Sequence, residues 1–222
     1  MEPDALTIPA LLAHRVDVDG DLFALVAAAD DAVARVTYAG LDARSLDLAG
    51  RLVAAGVVKG DRVGLLAPNG IDWAVAACAV MRIGAVLVPF STLLRPPELL
   101  AQVTTASVSH LLVVPTFKGR SYLDELEAAV PGLRATVEGG GRHEAAPSLR
   151  RIWATDAIPE TARPVDDRLV ALVGAMETRV RPADDMVVLF TSGSTGSPKG
   201  TIHTHGGGLR ATAAGLDARR VL

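Results

Sequence analysis

Apolar and polar positions along the chain switch repeatedly between helical and strand-like period. "IPALLAHRV" has helical spacing, and "LFALVAAA" and "ARVTY" are strand-like runs separated by the turn-prone pair Asp30-Asp31, which predicts a helix and then a hairpin. Leu41, Leu46, Leu48, Leu52 and Val53 again fall at helical spacing, and Gly56 closes that helix. "GDRVGLLAP" predicts a turn and a short buried strand. Asn69 is expected to cap the following helix, with Asp72 in its first turn, where the helix dipole favours negative charge. That helix ends near Gly84, and "AVLVPF" is a strand. Pro96 and Pro97 open a further helix, since proline is tolerated in a first turn, and "HLLVV" is the next strand.

Residues 61–114 therefore alternate strand, helix, strand, helix, strand with short connections, the signature of parallel strands with crossover helices. The expected fold class is α/β, with layered, mostly parallel sheets and flanking helices. "YLDELEAAV" continues as a helix stopped by Pro131-Gly132. From 138 to 164 regularity fades: three consecutive glycines are followed by Pro147, Pro159 and Pro164, and a long surface excursion is expected. "DDRLVALVGAM" predicts a helix and residues 186–190 a buried strand.

Composition narrows the function classes. Half of the 222 residues are hydrophobic and 21% are charged, which suits a sizeable core rather than a disordered chain. A net charge of -3 gives no reason to expect a nucleic-acid surface. The single cysteine, Cys78, lies in the apolar stretch "DWAVAACAVM" and reads as a small core residue; one cysteine forms no internal disulfide, which fits a cytoplasmic protein. Glu2 and Asp4 replace the basic start of a signal peptide. The apolar run 73–90 is broken by Arg82, Gly84 and Pro89, so no membrane span is expected.

The strongest chemical signal follows the strand at 186–190. In "TSGSTGSPKG", residues 191–200, Gly193, Gly196 and Gly200 permit close backbone approach, so that free amide N–H groups can converge on anionic oxygens. Thr191, Ser192, Ser194, Thr195 and Ser197 add hydroxyl donors, and Lys199 adds a compact positive charge. A polyphosphate suits this set, held on a bend between two buried strands. The Walker A pattern does not fit: Pro198 stands where glycine should precede the lysine, and Gly200 where Ser or Thr should follow. A ligand-free linker has similar composition, but a linker rarely sits hard against a buried strand with a lone lysine in register.

This stretch resembles the phosphate-binding signature of the AMP-forming acyl-CoA synthetases, within the adenylate-forming superfamily. It matches at Thr191, Ser192, Gly193, Ser194, Thr195, Gly196, Pro198, Lys199 and Gly200. The long segment from "VTYAGLDARS" to "VPFSTLLRPPEL" resembles the family's amino-terminal part, and its end looks more like fatty acyl-CoA synthetases than peptide-synthetase modules. The resemblance implies that a carboxylic acid, fatty in class by that likeness, attacks the α-phosphorus of ATP to give acyl-adenylate and pyrophosphate, and that coenzyme A then displaces AMP. It implies nucleotide binding by Thr191, Ser192, Gly193, Ser194, Thr195, Gly196 and Lys199. It places no catalytic residue and no metal ligand in this chain, because the Mg2+ carboxylate, the ribose-binding Asp, the acyl pocket and the small carboxy-terminal domain with its lysine have no matching positions here. Residues 1–222 are thus expected to be a partial amino-terminal AMP-binding domain: a truncated product, an excised piece, or one half of a split ligase whose second chain supplies the rest. A non-catalytic module binding a nucleotide or a partner is the alternative. Such a fragment is expected to be inactive alone and to expose apolar surface and strand edges.

Other residues attract notice. His203 and His205 could share a strand face as metal ligands do, but Thr204-His205 matches a pair frequent in the family, and a structural or capping role is expected. Gly206, Gly207 and Gly208 lack the rest of a dinucleotide fingerprint. Asp166-Asp167 and Asp184-Asp185 read as caps or turns, Trp73 and Trp153 as packing residues, and His14, His110 and His143 as surface or packing residues.

Overall fold

The computed structural model describes residues 6–29, 32–155, 165–191 and 199–220. Helix α1 (Ile8–Asp19) starts at Thr7, whose hydroxyl accepts from the Ala10 N–H. Strands β1 (Phe23–Ala29) and β2 (Ala32–Thr37) form the expected antiparallel hairpin. Thr37 ends it and caps α2 (Tyr38–Ala54) through Gly40 N–H at 3.1 Å. Gly56 leaves that helix at φ +93°, a conformation that favours glycine.

The alternating part then builds the main sheet: β3 (Arg62–Leu66), α3 (Ile71–Arg82), β4 (Val86–Phe90), α4 (Pro96–Thr105) and β5 (His110–Val113). A small ladder, β6 (Thr116–Phe117) with β7 (Arg120–Ser121), precedes α5 (Tyr122–Ala129) and α6 (Leu133–Glu138). Strand β8 (Arg151–Ala154), α7 (Asp167–Glu177), β9 (Asp185–Thr191), β10 (Lys199–Thr204) and α8 (His205–Arg220) complete the described elements. The sheet order is β10-β9-β4-β3-β5-β8, with every neighbouring pair parallel except β9 with β10. The mostly parallel α/β reading therefore holds.

Both faces of this sheet are covered, as a parallel sheet requires. Val86, Val88, Phe90, Leu111, Val113 and Val188 point to one side and meet α4, α5 and α6. Val63, Leu65, Leu87, Leu112 and Val187 point to the other and meet α2, α3 and α7. Successive strand residues face opposite ways, so the continuous apolar runs serve two cores at once. A third cluster, Leu12, Val36, Leu41 and Val75, joins α1 and the hairpin to α2 and α3. Across the second core, buried Arg82 holds α2 to α7: it donates to Ser45 Oγ and to the Asp42 carboxylate, both at 2.8 Å, and to Glu177.

Three expectations change. Residues 138–164 are not wholly a surface excursion: residues 151–154 are the edge strand β8, and Ala146 and Leu149 are buried in the first core. Proline and glycine around it masked a four-residue run too short to show a period. Asn69 is not the cap of α3, because Gly70 holds the N-cap position and no side chain caps it. The strand after the glycine-rich stretch is not buried: among the described residues β10 has only β9 beside it, and Lys199 to His203 are exposed. Exposed Leu189 and Ile202 accompany that open edge. Among the described residues, no helix is long and apolar enough to cross a membrane.

Candidate functional site

The glycine-rich stretch connects β9 to β10. Because β9 runs parallel to β4, the connection leaves the sheet at its carboxyl edge, where α/β folds place ligands. Ser192, Gly193, Ser194, Thr195 and Gly196 lie outside the described residues, with Ser197 and Pro198. Thr191 and Lys199 are described, and they are register partners across the two strands. Their Cα atoms thus stand about 5 Å apart by antiparallel pairing geometry. Both side chains are exposed.

The root beneath them is stiff. Val187 and Val188 are buried, and the Phe190 ring stacks on Phe90 of the neighbouring strand at 6.4 Å and 23°. Gly200 pairs with Phe190, and a Cβ at Gly200 would lie 2.9 Å from Val188 Cγ1 and 3.5 Å from the Phe190 ring. Glycine here lets those side chains close over the strand. Beside the root, the β4–α4 connection is fixed by Arg120, which donates to Thr92 O at 2.7 Å and Leu94 O at 3.0 Å, and by Tyr122 Oη, which donates to Thr92 O at 3.0 Å. No local sequence signal marks this role of Arg120: it pairs with nearby Glu125, but the two carbonyls that it holds lie 26–28 residues away.

The exit from β10 is anchored equally firmly. Thr204 Oγ1 accepts from Gly207 N–H at 3.1 Å and caps α8. His205 is fully buried, and its Nδ1 accepts from Ile8 N–H at 3.2 Å, tying the start of α1 to the strand that leaves the turn. Burial lowers its pKa to about 4, with Asp184 opposing and Lys59 adding to the shift, so the ring is neutral at physiological pH. The expected structural role for Thr204-His205 thus appears as a cap and a buried tether, while His203 stays exposed. Among the described residues no group of three His, Cys, Asp or Glu side chains converges as a metal site would need. Two of the three glycines, Gly206 and Gly208, have a packing reason. A Cβ at Gly206 would meet Pro182 Cβ at 3.0 Å, and one at Gly208 would meet Met186 Cε at 2.7 Å.

Asp184 braces the start of β9. It accepts from Arg181 N–H at 2.7 Å and pairs with Lys59 at 2.6 Å. Burial pushes its carboxyl pKa up, but the Lys59 and Arg181 hydrogen bonds outweigh this and hold it below the usual range. Asp166 caps α7 through Leu169 N–H at 2.9 Å. Both aspartate pairs serve termini rather than acid–base chemistry. Cys78 is half-buried beside the third core, and burial raises its thiol to about 11, which suits packing and not nucleophilic attack.

The sequence matches the family described as AMP-binding enzyme over residues 12–221. It is 31% identical over 197 residues to the long-chain-fatty-acid–CoA ligase FadD13 of Mycobacterium tuberculosis, covering 88% of this chain and 34% of that protein. It is 30% identical over 184 residues to 4-coumarate–CoA ligase 5 of Oryza sativa subsp. japonica, covering 82% and 30%. Among solved structures, the inhibitor-bound N-terminal domain of FACL13 from Mycobacterium tuberculosis superposes with a TM-score of 0.64 at 26% identity, over 90% of this chain and 44% of that one. VinN in complex with L-aspartate gives 0.70 over 96% and 51%, and at 22% identity that likeness concerns the fold alone. The chain spans about a third of the length of the curated ligases cited here, 34% and 30%.

Proposed function

Because the chain belongs to the AMP-binding enzyme family, we propose that it supplies the phosphate-gripping part of an ATP-dependent acid–thiol ligase. The acid is a carboxylic acid, fatty in class. In the first half-reaction its carboxylate attacks the α-phosphorus of ATP, the bond to the bridging oxygen breaks, and pyrophosphate departs. In the second, the thiol of coenzyme A takes the acyl group and AMP leaves. The part assigned to this chain is to hold the β- and γ-phosphates and then the departing pyrophosphate.

The hydroxyls of Thr191, Ser192, Ser194 and Thr195 donate to phosphate oxygens, Gly193 and Gly196 let the backbone approach, and Lys199 offsets the charge that builds on the leaving group. What supports this reading is the pairing of Thr191 with Lys199, which sets a hydroxyl and an ammonium at the two ends of one seven-residue turn on a stiff root. The Mg2+ that accompanies ATP needs carboxylates from elsewhere, since Lys199 repels a cation. The adenine, ribose, acyl and coenzyme A contacts likewise fall outside the assigned residues.

Calorimetric titration with pyrophosphate tests the assignment. A charge-assisted hydrogen bond contributes about 1.5–3 kcal/mol, so Lys199→Ala should weaken binding by roughly 10- to 100-fold. Unchanged binding would remove the turn from the reaction. The 222-residue chain alone is expected to release no pyrophosphate from ATP and a fatty acid; turnover would refute the division of labour proposed here.

A further inference from the structure

A second basic site lies at the opposite end of the sheet. His110 opens β5 and Arg151 opens β8, and both strands run parallel to β3, so their starts share the amino edge. There a cavity of about 250 Å3 is lined by His110, Arg142, Arg150 and Arg151, with Gly140 and Gly141 among its other walls. Among the described residues no carboxylate lines it. Asp61 stands beside it, its oxygens 3.8 Å from Arg150 Nη1 and 3.9 Å from His110 Nδ1. Three guanidiniums in a lining with no described carboxylate give the cavity wall a local excess of positive charge.

Arg142 and Arg151 are positioned by hydrogen bonds, while Arg150 is half exposed and, among the described residues, held only by its ion pair with Asp61. Arg142 Nη1 donates to Pro147 O and Ser148 O at 3.3 and 3.1 Å, and Arg151 Nη1 donates to Val137 O and Arg150 O, both at 3.1 Å. These bonds use one nitrogen of each planar fork, and each guanidinium has further N–H groups to offer. The backbone amides of Gly140 and Gly141 already donate to Val137 O and Thr136 O at the end of α6, so the glycines supply room, not donors. The floor is rigid and apolar on its inner side. His110 is 2% exposed, its ring lies on Trp153 at 5.4 Å and 10°, and its Nδ1 is 2.9 Å from Ser109 Oγ.

We propose that this cavity is an anion site for a phosphoryl dianion, with Arg142, Arg150 and Arg151 as donors. The planar guanidinium fork matches two oxygens of a tetrahedral oxyanion, which an ammonium does not. The volume is below the roughly 300–1,000 Å3 of nucleotide- or drug-sized pockets, so the ligand is inorganic phosphate or the terminal group of a small phosphate monoester. Bound there, the dianion neutralises the clustered guanidiniums and links the α6–β8 connection to the start of β5, stabilising the edge of the sheet farthest from β10. The site stands apart from the β9–β10 turn and does not depend on the reading of that turn.

The test titrates the 222-residue chain with inorganic phosphate, and separately with glycerol phosphate, at constant ionic strength. Trp153 fluorescence in a Trp73→Phe background and the melting temperature report binding. Saturable change with phosphate alone identifies the free ion, and change only with the ester identifies the monoester. The double variant Arg142→Gln/Arg150→Gln should weaken the response at least 10-fold, and Arg150→Gln alone should weaken it several-fold should the double variant fail to fold. Lys199→Ala should leave it unchanged. No saturable response to either ligand, an undiminished response in Arg150→Gln, or loss of the response in Lys199→Ala would overturn the proposal.

Discussion

Mild acid should weaken this fold through two buried histidines, well before its carboxylates protonate. Burial lowers both His110 and His205 from 6.5 to about 4, for different local reasons. His110 lies on Trp153 with Asp61 opposing the shift and Arg150 and Arg151 adding to it; His205 is sealed between α1 and the β10–α8 junction. A folded-state pKa below the unfolded one means that the unfolded chain binds the extra protons, so stability rises with pH between about 4 and 6.5 and falls on acidification through that window. At pH 5 an unfolded imidazole is almost wholly protonated and a folded one almost wholly neutral. Each ring then costs about 2 kcal/mol relative to pH 7, and the two together about 4 kcal/mol. That is a large share of a typical domain's 5–15 kcal/mol. The acidic groups held below their usual range, Glu125, Glu127 and Asp184, withdraw their contribution only at lower pH. Urea unfolding followed by circular dichroism at pH 7, 6 and 5 measures the slope. His110→Phe keeps a ring on Trp153 and does not titrate, and His205→Asn keeps an acceptor for Ile8 N–H. Each variant should remove about half of the pH dependence, whatever its stability at pH 7. A wild-type stability that is flat from pH 7 to 5, or a slope unchanged in both variants, would refute the reasoning.

Further outcomes follow from the same geometry. Gly64→Ala should destabilise by about 1–3 kcal/mol in chemical denaturation, because its Cβ would stand 2.6 Å from Phe90 Cε2 and 2.8 Å from Leu111 Cδ1. Arg82→Met should lower stability by about 3 kcal/mol, since it leaves Asp42 and Glu177 facing each other without their cation; an unchanged melting temperature would show that the network contributes nothing. Cys78 should resist alkylation at pH 8 in the folded protein and react at once in denaturant, read by mass spectrometry.

Much of the fold was legible in consecutive residues. Two-sided apolar runs such as those at 62–66 and 86–90 fit strands buried on both faces, and Gly56 and Asp166 sit where helix termini need them. The glycine, hydroxyl and lysine groups of 191–200 are likewise written in adjacent positions, and of these the structure describes only the pairing of Thr191 with Lys199 and of Gly200 with Phe190. β8 was not legible, because four residues among glycines and prolines carry no period, and only pairing with β5 makes them a strand. The exposure of β10 was equally hidden, since a strand's burial depends on what lies beside it and not on its own composition.

Sequence alone thus determined most of the element order and the parallel α/β class, and it set glycine, hydroxyl and lysine groups side by side at 191–200, all properties of neighbours along the chain. Tertiary structure decided that His205 meets Ile8 across 197 positions, that Arg120 steadies the loop beside the turn, and that three arginines and a buried histidine share one cavity. Those arrangements rest on contacts between distant segments, and no local pattern encodes a contact whose partner is set only when the sheet closes.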